Sequence, residues 1–401
     1  MRPPPRNPAL PMSSLYHIRA VALALLMTTP VAAAADEQQL ARLLQGFDET
    51  ALWHDGKTLV TTRKWTQPIK MHITGNSTGS LEQIVTKAVE NGAKLAGLTV
   101  AHVDAVAANF IVKFDDTSSY VINGRAAGCY ATTRMNPRGE IQRAELFVNF
   151  QMRGQLRQCI VHETMHAFGF PGHPHGLDSV LSYVLRREEL TEIDEMAFAT
   201  LYDRRLGTNH YYLPSLLLAR QIIAERLKLV PAGGDTTALA KPYLLQAVKY
   251  LREAAESGQR MAQRQLGLAL YFAQIVERDD AEALTWWRKA AGQGDIDSNY
   301  WLGEAARAGR GGPKDSLAAF KEHKFAADRG HAIAMFRVGQ ALESGDGAAA
   351  DRPVAAAFFM LAANRGHQPA IAARDALLAK LSAADRARAD ELVRNWKPEA
   401  G

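Results

Sequence analysis

The chain has 401 residues, 47% of them hydrophobic and 22% charged, the balance of a soluble protein long enough for two or more domains with separate cores. Its formal net charge of +5 owes much to the N-terminus: residues 1–35 carry Arg2, Arg6 and Arg19 and no acid, and without them 44 basic residues face 42 acidic ones. No basic run interleaved with aromatics occurs, which argues against a nucleic-acid partner.

At the N-terminus the three arginines precede the apolar run Ala20–Met27. Thr28–Pro30 breaks the run, and the small residues Val31–Ala35 lead to Asp36. A basic region, a short apolar region and an Ala-x-Ala site are the parts of a secretory signal. Residues 1–35 therefore read as a signal peptide cleaved near Ala35/Asp36, and Met12 can serve as its start. The apolar run is too short for a stable span, although an uncleaved anchor is the competing reading. The mature protein is expected to be exported, periplasmic or extracellular in a bacterium, with no stable membrane span after cleavage. An even cysteine count in an exported chain favours a disulfide, here Cys129 with Cys159. The alternative gives one of the two to a metal, since Cys159 stands three residues before His162.

Residues 36–229 mix structure types. Lys70–Thr74 and Asn109–Phe114 alternate like half-buried strands, and Ala144–Phe150 is a further strand. Between the first two, Ser80–Ala96 places Leu81, Ile84, Val85, Ala88, Leu95 and Ala96 on one helical face. A helix over Gly154–Phe168 follows. The order predicts an α+β domain with a small twisted sheet.

That last helix carries His162-Glu163-Thr164-Met165-His166. Histidines four apart lie one turn apart on one helical face, so their ring nitrogens can converge on one ion. Glu163 stands roughly 100° further round the helix, where it can take a proton from a metal-activated water without being a ligand. Gly169 can end the helix and reverse the chain. His173 or His175 can then supply a third ligand, leaving the open position that catalysis requires; Glu188, Glu189 and Glu192 are rival third ligands. His162 and His166 as ordinary helix residues is the plain alternative. The stretch resembles the HExxHxxG motif of the metzincin clan of zinc peptidases, with similarity over about residues 140–205. In that clan the third ligand comes six residues after the second histidine, a position held here by Gly172, one before His173. Ser179–Tyr183 is similar to the clan's methionine-containing turn, with Leu181 in the methionine's place and Tyr183 where some members place a metal-binding or oxyanion-stabilising tyrosine. Leu190–Asp203, opening with Thr191 and Asp194 as a capping pair, resembles the helix after that turn. Residues 50–230 also look similar to an uncharacterised family of bacterial secreted domains, many of which are expected to lack the histidines. The resemblance implies a zincin-like domain, a zinc ion, and a peptide or protein substrate.

Residues 230–242, rich in Gly and Pro, read as a linker. Beyond them the chain repeats every 36 residues: Gly258, Gly294, Gly330 and Gly366; Gly267, Gly303 and Gly339; Ala247, Ala283, Ala319 and Ala355; Asp279, Asp315 and Asp351. Such a period means stacked helical hairpins. The alanines allow close helix approach, the aspartates stand where a helix needs an N-cap, and the first glycine column suits C-terminal αL turns. Residues 243–367 resemble the Sel1-like repeat family, which implies an all-α, TPR-type solenoid that binds a protein partner. The middle repeat departs at Glu322 and His323, where its neighbours place Trp286 and Trp287 or Phe358 and Phe359. Residues 368–401 read as capping helices, with Ser382 and Asp385 forming a capping pair.

Two functions follow. One is an exported zinc metallopeptidase with Glu163 as general base and the repeats recruiting a partner. The other is an inactive zincin-like scaffold that binds proteins through its repeats.

Overall fold

The computed structural model describes residues 34–54, 58–115, 120–122, 125–149, 156–182 and 187–399. Tyr183 and all but the last two residues of the expected signal peptide lie outside the described residues. No helix among the described residues is long and apolar enough to cross a membrane. The chain forms two compact units. One gathers the described residues up to Ala51 with Arg63–Thr208 and Leu216–Lys241; the other gathers Leu52–Thr62, Asn209–Ser215 and the described residues from Pro242 onward.

The first unit is an α+β domain. Residues 34–47 form helix α1, which buries Leu40, Leu43, Leu44 and Phe47 and runs into a π-helical turn, Asp48–Leu52. The strand pair β1 (Trp53–His54) and β2 (Thr58–Leu59) comes next in the chain and belongs to the second unit. Then follow β3 (Ile69–Gly75), α2 (Gly79–Leu95), β4 (Val100–His102), β5 (Phe110–Asp115), the short pair β6 (Tyr120–Ile122) and β7 (Arg125–Ala127), β8 (Cys129–Met135), β9 (Ile141–Asn149), α3 (Leu156–Ala167), α4 (Glu192–Leu201) and α5 (Tyr212–Arg226).

Five strands make one sheet in the order β4-β3-β5-β9-β8. The first four run parallel, with Met71 beside Phe110 and Phe110 beside Ala144; β8 runs antiparallel to β9 on the edge. The central strand β5 is almost continuously buried, as a parallel strand covered on both faces must be. Strands β3 and β5 and helices α2 and α3 lie at the expected stretches, and β9 begins three residues before the expected Ala144; Phe150 and Gly154 lie outside the described residues. Strands β4 and β8 were not expected. The sequence of β8, Cys-Tyr-Ala-Thr-Thr-Arg-Met, has little apolar alternation because only Cys129 of it is buried. Residues 230–240, expected as a linker, are fastened to α5: Gly233 N–H donates to Glu225 at 2.9 Å and Thr236 Oγ1 donates to Gln221 at 2.8 Å.

The second unit is an all-α solenoid built from α6 (Lys241–Glu256), α7 (Arg260–Tyr271), α8 (Asp280–Ala291), α9 (Ile296–Ala308), α10 (Ser316–Asp328), α11 (Ala332–Ser344), α12 (Arg352–Asn364), α13 (Gln368–Leu378) and α14 (Ala383–Asn395). Asp279, Asp315 and Asp351 cap α8, α10 and α12, accepting from the backbone N–H of Glu282, Ala318 and Val354 at 2.8, 2.9 and 3.1 Å. Gly258, Gly294, Gly330 and Gly366 all have positive φ, the αL turns that the period predicts. A second glycine column serves packing: the ring of Trp287 lies against Gly267, that of His323 against Gly303 and that of Phe359 against Gly339. Trp396, Val393 and Ala389 close the core of the last repeat.

Candidate metal centre

Helix α3 is held at both ends. Near its start Cys159 is joined by a disulfide to Cys129 of the edge strand, with Cα atoms 5.8 Å apart. At its finish two carbonyls that have no helical partner accept side-chain donors: Trp65 Nε1 donates to Ala167 O at 3.0 Å, and Tyr202 Oη to Phe168 O at 2.8 Å. Phe168 packs on Gly92 of α2, where a Cβ would come within 2.9 Å of its ring. Gly169 (φ +105°) then turns the chain sharply beside the Arg63 carbonyl, which leaves no room for a side chain.

The turn brings His173 back to the helix. The Nε2 atoms of His162, His166 and His173 lie 3.1, 3.1 and 3.2 Å from one another. A neutral imidazole has one N–H and one lone pair. His162 Nδ1 stands 2.8 Å from Val180 O and His166 Nδ1 2.5 Å from Phe170 O; a carbonyl only accepts, so each ring donates from Nδ1 and turns its Nε2 towards the cluster. Three imidazole nitrogens converging this closely match the ligand set of a metal site in which backbone carbonyls hold the Nδ1–H groups. Burial also lowers the pKa of His162, against the raising effect of its bond to Val180. The donor set fits zinc: three imidazoles at separations suited to metal–nitrogen bonds of about 2.0–2.1 Å.

Around these ligands sits a supporting frame. The turn Ser179–Ser182 that supplies Val180 O is organised by Asp194, fully buried on α4. Its carboxylate accepts from Ser179 Oγ, from Val180 N at 3.0 Å, and from Thr191 N and Oγ1 at 2.9 Å each. Leu181 is fully buried. Glu163 Oε2 accepts the Ala131 N–H of β8 at 2.8 Å. Gly128 pairs with Asn149, so alternate residues of β8 bond to β9, and Ala131 faces outward from the edge. Burial pushes the Glu163 carboxyl up to about 8, against the lowering effect of the Ala131 bond.

Of the other candidates, His175 lies outside the cluster: it is exposed, and its backbone N–H donates to Glu49. Glu188 and Glu189 pair with Arg157, and Glu192 accepts from Gln39. Tyr183 is not among the described residues. Sequence reasoning did not single out Ala131, which carries no side-chain signal, or the supports from Val180 and Phe170, which are backbone atoms. A cavity of about 590 Å³ between α2 and α3 is lined by Val161, Thr164 and Met165, not by the histidines, so it is not the metal site.

Residues 41–209 match the family described as "Protein of unknown function (DUF2927)", an uncharacterised family, as expected over residues 50–230. The likeness to zinc peptidases rests on the motif residues alone. Residues 244–259, 260–295, 296–331 and 332–367 match the Sel1 repeat. No curated protein matches the chain. Among solved structures, a Sel1 repeat protein from Oxalobacter formigenes is 32% identical over 32% of this chain and 98% of its own, with a TM-score of 0.31. A protective antigen present in uropathogenic Escherichia coli strains, displaying an SLR fold, is 21% identical over 62% of this chain and 54% of its own, with a TM-score of 0.37. The C-terminal region is thus made of Sel1 repeats, and residues 41–209 of the N-terminal domain match the DUF2927 family.

Proposed function

We propose that the N-terminal domain is a zinc-dependent hydrolase of the peptidase type, working in an exported protein whose Sel1 repeats recruit a protein partner. The observation that carries the reading is the triangle of Nε2 atoms from His162, His166 and His173 with Glu163 beside it. When bound, zinc supplies Lewis acidity, polarising a carbonyl and bringing the pKa of a water to about 7. The chain's own residues do the rest. Val180 O and Phe170 O orient two of the imidazoles through their Nδ1–H groups. The Ala131 N–H fixes Glu163 Oε2, leaving Oε1 to take a proton from the attacking water and return it to the leaving amine. A carboxyl raised towards neutrality by burial suits both transfers. The outward edge of β8 beside Glu163 offers backbone groups to an extended peptide. Export is supported by the N-terminal pattern and by the disulfide.

A second reading takes the domain as an inactive scaffold, with or without a structural zinc, that serves protein binding. The four matched Sel1 repeats favour it, because such solenoids mediate protein–protein contacts. Metal analysis and peptide turnover separate the two. The purified protein should hold about one zinc per chain, lost in His162→Ala/His166→Ala. Glu163→Ala should keep the zinc and lower hydrolysis of a cleavable peptide by about 10²–10⁴-fold. Zinc without Glu163-dependent turnover across a peptide library leaves the scaffold reading, and no zinc after loading ends the hydrolase reading and leaves a metal-free scaffold.

A further inference from the structure

Two of the three histidines stand on a helix clamped at both ends, but His173 stands in a loop. A ligand must be held within about 0.5 Å of its working position, so something outside the loop has to fix it. We infer that Glu49 and Thr50, in the π-helical turn that closes α1, position the third ligand of the metal site, with Glu49 as the side chain that does so. The inference rests on the metal reading above.

The ties come from both sides of His173. One residue before it, Gly172 N–H donates to Thr50 O at 2.9 Å. Two residues after it, His175 N–H donates to Glu49 Oε2 at 2.7 Å. Pro174 stands between, and its ring restricts both its own φ and the backbone of His173. Pinning the His175 N–H therefore limits how far the His173 backbone can rotate. The turn itself is braced: Gln45 Nε2 donates to Glu49 Oε1 at 2.7 Å, and Thr50, fully buried, donates from Oγ1 to Gly46 O at 2.6 Å. The π-helical irregularity, a local form common at functional sites, covers Asp48–Leu52, the stretch that contains both tethering residues. Glu49 is only half-buried, so replacing it opens no core. The reading also explains how a third histidine placed seven residues after His166 reaches the ion position: the loop is drawn onto α1.

The test is zinc affinity, measured on the full chain by competition with a chromogenic chelator, with cobalt(II) substitution as a spectroscopic signature. Wild type, Glu49→Ala, Glu49→Gln and His162→Ala are compared, with melting of each metal-free protein in EDTA as the control for folding. Glu49→Ala should weaken zinc about 10–100-fold, the usual effect of losing an outer support, and change the intensity of the cobalt d–d bands. Glu49→Gln, whose Oε1 still accepts the His175 N–H, should stay within about threefold of wild type. If Glu49→Ala melts lower without metal, Gln45→Ala is read instead, and it should weaken zinc at least about threefold by freeing the carboxylate. Wild-type affinity and an unchanged cobalt spectrum in the folded variant would overturn the positioning role while leaving the metal site standing. A wild type that binds no zinc overturns the metal reading and this inference together.

Discussion

In the solenoid a ring meets a glycine every 36 residues, at Trp287 on Gly267, His323 on Gly303 and Phe359 on Gly339. In the N-terminal unit each contact that builds the site occurs once: Ala131 reaches Glu163, Val180 reaches His162, Thr50 reaches Gly172. The two regions respond differently to a change of residue. The solenoid absorbs its departure from pattern. His323 still packs on Gly303, and its Nε2 lies 3.2 Å from Glu304, whose carboxylate also accepts from Arg337 at 2.8 and 3.0 Å and pairs with Arg307 at 3.0 Å. The N-terminal unit has no neighbouring copy to share a fault, so each of its contacts is a separate point of failure.

The sharpest way to test that contrast is the disulfide. Cys129→Ser/Cys159→Ser should destabilise the N-terminal unit by about 2–5 kcal/mol. Hydrogen exchange should rise over β8 and α3 and stay unchanged over residues 260–367; equal loosening in both regions would dissolve the distinction.

Acid should act inside the repeat that carries His323. Burial raises the Glu304 carboxyl, but the close approach of His323, the hydrogen bonds from Arg307 and the charges of Arg337 and Arg307 outweigh it and leave the group at about 2, below its ordinary 4.5. A depressed carboxyl gives stability that is complete above about pH 4.5 and is lost as pH falls towards 2, because the unfolded chain takes up the proton first. The contribution is on the order of 3 kcal/mol. Denaturant titrations between pH 5 and 2 should show it in the wild type and not in Glu304→Gln; parallel curves would assign the acid response elsewhere.

The smallest effect concerns regularity itself. A Cβ on Gly303 would sit 2.5 Å from the His323 ring and one on Gly339 2.6 Å from the Phe359 ring. Gly303→Ala and Gly339→Ala should each cost about 1–3 kcal/mol by overpacking, and by similar amounts. A free substitution at Gly303 alone would show that the imidazole is packed more loosely than the phenyl ring.

Much of this was legible in the sequence, unevenly. The 36-residue columns gave caps, turns and packing glycines because each signal appears several times. In the N-terminal unit, the apolar pattern located β3, α2, β5 and β9, and the motif located α3 with His162, Glu163 and His166. His173 remained one of several choices, because a loop ligand is selected by the backbone ties that bring it home, and those ties use Thr50 O and Gly172 N, which any residue possesses. Strand β8 went unseen for a related reason: an edge strand with only Cys129 buried has little apolar alternation to display. Glycine 92 was missed as a packing position, since its partner Phe168 is distant in sequence.

The parallel pairing of β3 with β5 and of β5 with β9 has a consequence in time. Each pairing closes a loop of more than 30 residues before any ladder bond can form, whereas helices α7 to α13 each pack against a neighbour in the chain. Folding rates fall as contacts become more distant in sequence. The repeats should therefore fold on a faster clock, and the histidine triangle, which needs the sheet, the disulfide and the loop ties all in place, should be among the last features to form.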